Sequence, residues 1–237
     1  MPSEFPRSPS LLKGALVVFK PGSVLPSVIV FQYNPETMTH TWTQPDAEKA
    51  EPNRCTQSPL AVAGAPGESF SFTLFLDAAD TIADGAASAP LAAASGVYTR
   101  LAALEMLLFP SDATTGGLLG TVTAKIGSLF GASRDQEQAV PANTLNTVLF
   151  VWGLGRIVPV RVTTLTVTER LYDRALNPTH AEAQITLRVL TADELVHDTA
   201  DLAQLARAAN AYSQGLRQTL ATANSDAAEA VVGMLPI

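Results

Sequence analysis

Val148-Leu-Phe-Val-Trp-Gly153, then residues 159–168, then Ala181-Glu-Ala-Gln-Ile-Thr-Leu-Arg-Val-Leu190 behind a turn at Leu176-Asn-Pro-Thr-His180, form the stretch whose reading decides the fold. In the last run Ala181, Ala183, Ile185, Leu187 and Val189 share one phase, and Glu182, Gln184, Thr186 and Arg188 share the other. Alternation with period two marks a strand with one buried face. In residues 159–168 the phase changes: Val160 and Val162 set one register, Leu165 and Val167 the other. One extra residue near Thr163 and Thr164 would do this, which predicts a β-bulge there. Gly153-Leu-Gly155 lacks the third glycine of a dinucleotide fingerprint and leads into a strand, so it predicts a hairpin connection. The result is three antiparallel strands with no residue set for covalent chemistry.

Working outward, the N-terminal half supplies more strands. Residues 1–10 contain three prolines and read as a loose arm. Residues 11–19 read as a first strand. In residues 28–33, Ile29, Phe31 and Tyr33 alternate with Val28 and Val30, so both faces are apolar. Such a strand is expected to be buried on both sides, against the core and against a helix or neighbouring subunit. Met38, His40 and Trp42 alternate with threonines, and both tryptophans, Trp42 and Trp152, fall in patterns that favour burial. Residues 44–66 form a long polar loop, and residues 69–76 a strand with Phe70, Phe72, Leu74 and Leu76 on one side. Residues 77–95 read as a flexible excursion with room for a short helical turn.

Leu101, Leu104 and Leu108 define one face of a helix over residues 97–109, stopped by Pro110. Residues 110–146 read as an insertion with a weak helix at 118–129. Thr191-Ala-Asp-Glu194 fits a capping box. Beyond it Leu202, Leu205, Ala209, Tyr212, Leu216 and Leu220 make an apolar stripe on a long helix, weakened at Gly215. A core-facing role is favoured for that stripe over a partner surface. The organisation is therefore an arm (1–10), a β domain (11–191, with the insertion at about 110–146) and a C-terminal helical extension (192–237). The fold class is mainly β (α+β): an antiparallel barrel or sandwich with one packed helix, long loops and a C-terminal helix.

Apolar residues make up 47% of the 237 positions, enough for a sizeable core. Lys and Arg number 15 against 22 Asp and Glu, and the net charge of −7 disfavours nucleic acid and anionic membrane surfaces. Cys55 is the one cysteine, so neither an intramolecular disulfide nor a thiolate metal cage is expected. Residues 1–20 lack the pattern of a signal peptide, and no apolar run is long enough for a transmembrane helix. The expectation is a cytoplasmic protein.

The search for chemistry names no catalytic, cofactor-binding or metal-binding residue. His40, His180 and His197 are far apart, and His40 reads as a packed or hydrogen-bonded strand residue. A Gly-x-Ser-x-Gly elbow is missing, which leaves a hydrolase without a nucleophile–base pair. The glycine-rich residues 116–131 lack the Gly-Lys-Ser/Thr ending of a phosphate loop, since Ile126 follows Lys125. Asp77, Asp80 and Asp84 have neither the spacing nor the bidentate Glu of a calcium loop and read as solvated charge.

Two segments resemble a known family. Val30-Phe-Gln-Tyr-Asn-Pro-Glu-Thr-Met38 is similar to the opening motif of contractile injection system tube and baseplate proteins. Val148-Leu-Phe-Val-Trp-Gly153, the valine/threonine strand, and the corner carrying Tyr172-Asp173, Pro178 and Ala181 resemble that family's second half. The resemblance covers roughly residues 11–190. It implies a phage-tail-tube-like barrel that assembles as a homohexameric ring, with no enzymatic activity and no cofactor. The nearest kind is the baseplate adaptor between spike hub and inner tube, whose relatives often carry LysM. This chain departs from it after Leu190, where an Ala-rich helix stands and no LysM-like segment follows. The implied partners are itself, the spike or hub protein, the inner-tube protein and other baseplate or sheath-initiating proteins, within a cytoplasmic phage-tail-like particle. The alternatives are the repeating inner-tube subunit and a β-sandwich ligand-binding module, although 6% aromatic residues is low for a sugar-binding platform.

Overall fold

In the computed structural model, which describes residues 12–19, 25–45, 60–85, 88–110, 145–196 and 201–223, the alternating run is the centre of the sheet. The strands are β1 (Ala15–Phe19), β2 (Ser27–Val30), β3 (Met38–Thr43), β4 (Gly67–Asp77), β5 (Thr147–Val151), β6 (Ile157–Tyr172) and β7 (Pro178–Val189). They form one antiparallel sheet in the order β2-β1-β5-β6-β7-β4-β3. On β7, Ala181, Ala183, Ile185, Leu187 and Val189 are all buried. Opposite them β4 buries Phe70, Phe72, Leu74 and Leu76, the phase expected. Burial of each large side chain contributes roughly 1.5–3 kcal/mol. The expected bulge is present: the β6–β7 register shifts between Val162 and Thr164. The Thr163 hydroxyl there donates to the Thr186 carbonyl at 3.1 Å. The β5–β6 connection is the expected hairpin, with the Trp152 N–H donating to the Arg156 carbonyl at 2.8 Å and Gly153 at φ 67°.

The sheet curls around an aromatic cluster. Phe150 lies 5.3 Å from Phe70, 5.6 Å from Phe72 and 6.1 Å from Trp152, ring centre to ring centre. Phe31, just past β2, lies 5.6 Å from Phe72 on β4, so the first end of the sheet comes round against the other side of the core. The expected barrel is nevertheless open, because β2 and β3 are the two ends of the sheet and do not pair. The strand expected over residues 28–33 ends at Val30, and the Phe31 ring is buried in the core. Nor is β2 buried on both sides within one chain: Val28 and Val30 are 52% and 49% exposed.

Five helices are described: α1 (Ala78–Ala83), α2 (Ala89–Ser95), α3 (Tyr98–Glu105), α4 (Ala192–Val196) and α5 (Asp201–Ala223). The excursion at 77–95 thus contains two helices, the first started by the Asp77 carboxylate accepting the Ala79 N–H at 2.7 Å. More than one helix packs: Val97 and Leu101 join Leu76, Ala78 and Ala181, while Leu104 and Leu107 join the main core. The α3 face differs from expectation, since Leu107 is buried and Leu108 is 38% exposed. After Glu105 the hydrogen bonds tighten to i−3, Leu107 to Leu104 and Leu108 to Glu105. Three residues per turn bring Leu107 onto the face of Leu104. The capping box before α4 forms: the Thr191 N–H donates to Glu194 Oε2 at 2.9 Å, and the Glu194 N–H donates back to Thr191 Oγ1. Among the described residues no helix is long and apolar enough to cross a membrane. The arm at 1–10, Cys55, the weak helix expected at 118–129 and His197 lie outside the described residues.

Candidate assembly surfaces

The segment that carries the family resemblance also spans the opening of the barrel. The Phe31 N–H donates to the Gly14 carbonyl at 2.9 Å. Next, the Gln32 side-chain amide donates to the Asp77 carbonyl at 2.7 Å and accepts the Asp77 N–H at 3.0 Å. Asn34 does the same on the other flank: Oδ1 accepts the Gly14 N–H, and Nδ2 donates to the Leu12 carbonyl, both at 2.9 Å. Two primary amides thus replace missing strand neighbours, each satisfying a peptide N–H and a carbonyl. Between them the Tyr33 hydroxyl donates to the Asp80 carboxylate. That hydrogen bond, helped by burial, pushes the phenol up to about 12. Gly14 must be small, because a Cβ there would sit 2.6 Å from the Trp152 ring and 2.8 Å from the Phe31 ring.

At the far end of the β6–β7 hairpin, Asp173 builds the corner. Its Oδ1 accepts the N–H groups of Ala175 and Asn177 at 2.7 and 2.9 Å, and its Oδ2 accepts from the Asn177 amide at 3.0 Å. The hydrogen bonds from the Asn177 side chain and backbone hold the Asp173 carboxyl below its usual range. Asn177 also donates to the Ala94 carbonyl at 3.2 Å, and the Val97 N–H donates to the Pro178 carbonyl at 2.8 Å. The corner therefore docks the hairpin onto the α2–α3 junction.

At the opposite end of the sheet sits a buried acid. Glu68 is 5% exposed, in phase with Phe70 and Phe72. Arg217 of α5 grips it with both terminal nitrogens, at 2.6 and 3.0 Å, and His40 Nε2 lies 2.7 Å from Oε1. His40 stacks on Phe70 at 4.3 Å, so it is the packed, hydrogen-bonded strand residue expected. Arg217 also covers the Trp42 ring at 4.7 Å. Trp42 is 46% exposed, against the expectation of burial, because it stands on the edge strand β3. Arg156 lies over the Phe70 ring at 5.1 Å; burial lowers its pKa, which the Glu68 charge opposes.

The α5 face is only partly the one expected: of the expected stripe, Ala209 is buried and Leu216 half-buried. Ala206, Ala209, Asn210 and Ser213 are buried, whereas Leu205, Tyr212 and Leu220 are 42%, 50% and 62% exposed. Nothing is described of the Leu202 side chain. The helix turns its small and polar residues to the sheet because backbone groups there need partners: Ser213 Oγ donates to the Ile157 carbonyl at 2.7 Å and accepts the Ile157 N–H at 3.3 Å. The sequence signals that point to this contact are an acid on the inward phase of β4 and the polar spacing Asn210, Ser213, Arg217.

The remaining surface feature is unpaired strand. β2 and β3 end the sheet. On β6, β5 covers Ile157 to Val160 alone, so among the described residues no strand pairs with that edge from Arg161 to Tyr172. These three edges are ready-made templates for another chain.

Of the groups weighed for chemistry, His40, His180, Asp77 and Asp80 have structural partners. His180 Nε2 lies 3.1 Å from the Asp77 carboxylate, and Asp77 caps α1 while Asp80 accepts from Tyr33, so two of the three acids read as solvated charge have protein partners. Among the described residues no cluster of three His, Cys, Asp or Glu could hold a metal ion. Compared with known protein families and with curated proteins, the chain matches no family model and no curated protein.

Proposed function

We propose that the chain is a ring-forming structural subunit of a contractile injection system, a baseplate adaptor between the spike hub and the inner tube. The observation that carries this reading is the set of edges that, among the described residues, are unpaired on a well-packed sheet: β2 with half-exposed Val28 and Val30, β3, and β6 beyond Val160. Exposed edges on a stable sheet are a liability unless something covers them, and a closed ring pairs one edge on each side of every subunit with a neighbour. The motif segment adds support, since it stitches the opening with side chains and, among the described residues, adds no strand to the β2 edge. In a ring each interface is heterologous, one edge against a different one, and a homohexamer is the expected closure. The α5 extension suits a specialised layer better than the repeating tube. Electron microscopy of purified particles is the test: density for this chain is expected as one ring in the baseplate. Many stacked copies would make it the tube subunit instead, and its absence from the particle would overturn the proposal.

A further inference from the structure

We propose that α5 is a releasable cap on one end of the barrel, latched by the Arg217–Glu68 pair, which detaches as a unit while the sheet stays folded. The inference does not rest on the ring reading. It starts from what α5 buries. The described side chains that it places fully inside are Ala206, Ala209, Asn210 and Ser213, of which only two alanine methyls are apolar. The sheet, by contrast, keeps Phe70, Phe150, Leu16, Ile185 and Leu187 inside without any residue of α5 in that cluster. The cluster is therefore built from the sheet and α3, and α5 packs on the sheet from outside it.

What holds α5 is polar and local. Ser213 bonds both backbone groups of Ile157, the Asn210 amide donates to the Leu190 carbonyl at 3.4 Å, and the Tyr212 hydroxyl donates to the Leu154 carbonyl at 3.0 Å. Each of these partners can be resolvated by water when the helix leaves, so each contributes little net. Glu68 is different. It is the one buried acid at this end among the described residues, and Arg217 is its bidentate partner. Charged, bidentate bonds are the strong class. The latch is thus concentrated in one ion pair between the start of β4 and the last turns of α5. Release uncovers the Ile157 N–H and carbonyl just where β7 has ended, a short strand edge that α5 masks in the closed state.

Hydrogen exchange of the full chain, read by mass spectrometry, tests this. In the wild type, amides of α5 are expected to exchange at least about tenfold faster than those of β4 and β7, as separate opening units do. Glu68→Gln keeps the shape and removes the charge; it is expected to speed α5 exchange by a further factor of about ten and to leave β7 and the part of β4 beyond Phe72, away from Glu68 and its other partner His40, unchanged. Exchange of α5 in step with the sheet in the wild type would overturn the proposal. So would a Glu68→Gln protein whose α5 exchange is unaltered, or one whose sheet accelerates equally. If Glu68→Gln does not fold, Ser213→Ala is read in the same way: faster α5 with an unchanged sheet supports a separate cap, and equal acceleration overturns it.

Discussion

The Gln32 side chain and the Asp77 backbone, 45 positions apart, form a two-bond clasp: amide to carbonyl at 2.7 Å and N–H to Oε1 at 3.0 Å. The clasp joins the segment after β2 to the end of β4, across the side where the sheet does not close. Gln32→Ala leaves one donor and one acceptor without these partners at a part-buried site. A loss of about 1–3 kcal/mol is expected, visible as a lower urea midpoint with an unchanged slope. Gln32→Glu keeps the acceptor but loses the donor and sets a carboxylate beside Asp77 and Asp80. It is expected to cost at least as much. A Gln32→Ala protein of wild-type stability would mean that Phe31, Asn34 and the Tyr33–Asp80 hydrogen bond hold the opening without the clasp.

Glycine geometry provides a contrast between space and strain. Gly96 has φ 59°, and a Cβ there would lie 2.1 Å from the Pro178 carbonyl oxygen, which is backbone and accepts the Val97 N–H. Gly96→Ala must therefore move the corner or α3, and a loss of about 3 kcal/mol or more is expected. Gly153 has φ 67° with no atom within 4 Å of an added Cβ. Gly153→Ala is expected to cost only the left-handed strain, about 1–2 kcal/mol. Thermal denaturation of the two variants side by side checks the order; equal losses would show that the Gly96–Pro178 approach relaxes freely.

How far the sequence foretold these features depends on the range of the interaction. Alternation on β4 and β7, the phase change at Thr163 and Thr164, the Thr191–Glu194 box and the Gly153 hairpin are local signals, and each element has the form expected. Gln32 and Asn34 were legible as part of a motif but not as clasps, because their partners lie 45 and 20 to 22 positions away. Whether the expected barrel or sandwich closes is not legible for a related reason. Periodicity marks which face is buried, not whether two terminal strands meet. On α5 the leucine stripe suggested a buried face, yet the sheet end presents the Ile157 peptide and Glu68, and these select Ser213 and Arg217. Glu68 stands in the sequence as an acid in phase with Phe70 and Phe72, and Arg217 continues the polar spacing of Asn210 and Ser213; that the two meet, 149 positions apart, is set by the tertiary fold.

The corner has a defined acid dependence. The Asp173 carboxyl is depressed in the folded protein, chiefly by the Asn177 side chain and then by its backbone N–H. A depressed carboxyl contributes stability that is present above its unfolded value, about 3.9, and is lost as pH falls through the lower folded value. The difference in melting temperature between wild type and Asp173→Asn is therefore expected to be constant near neutrality and to shrink below about pH 4. A difference that stays constant into strong acid would mean that the carboxylate charge contributes nothing to the corner.

The β2 edge offers the most direct test of assembly. Val28 and Val30 are half exposed on a terminal strand, and the partly buried Ile29 packs against the core from the same strand. Lysine at Val28 and Val30 adds charge to an edge without touching the core, a substitution that sheets use to repel edge pairing. The double variant Val28→Lys, Val30→Lys is expected to stay folded, with each change costing within about 0.5 kcal/mol as surface substitutions do. It is also expected to lose rings in native mass spectrometry and negative-stain images. Leu154→Lys, at a hairpin position that is 79% exposed, serves as the control for added charge. Rings that persist with both lysines would remove β2 from the interface and leave β3 and the Arg161 to Tyr172 edge of β6 as the surfaces that join neighbouring subunits.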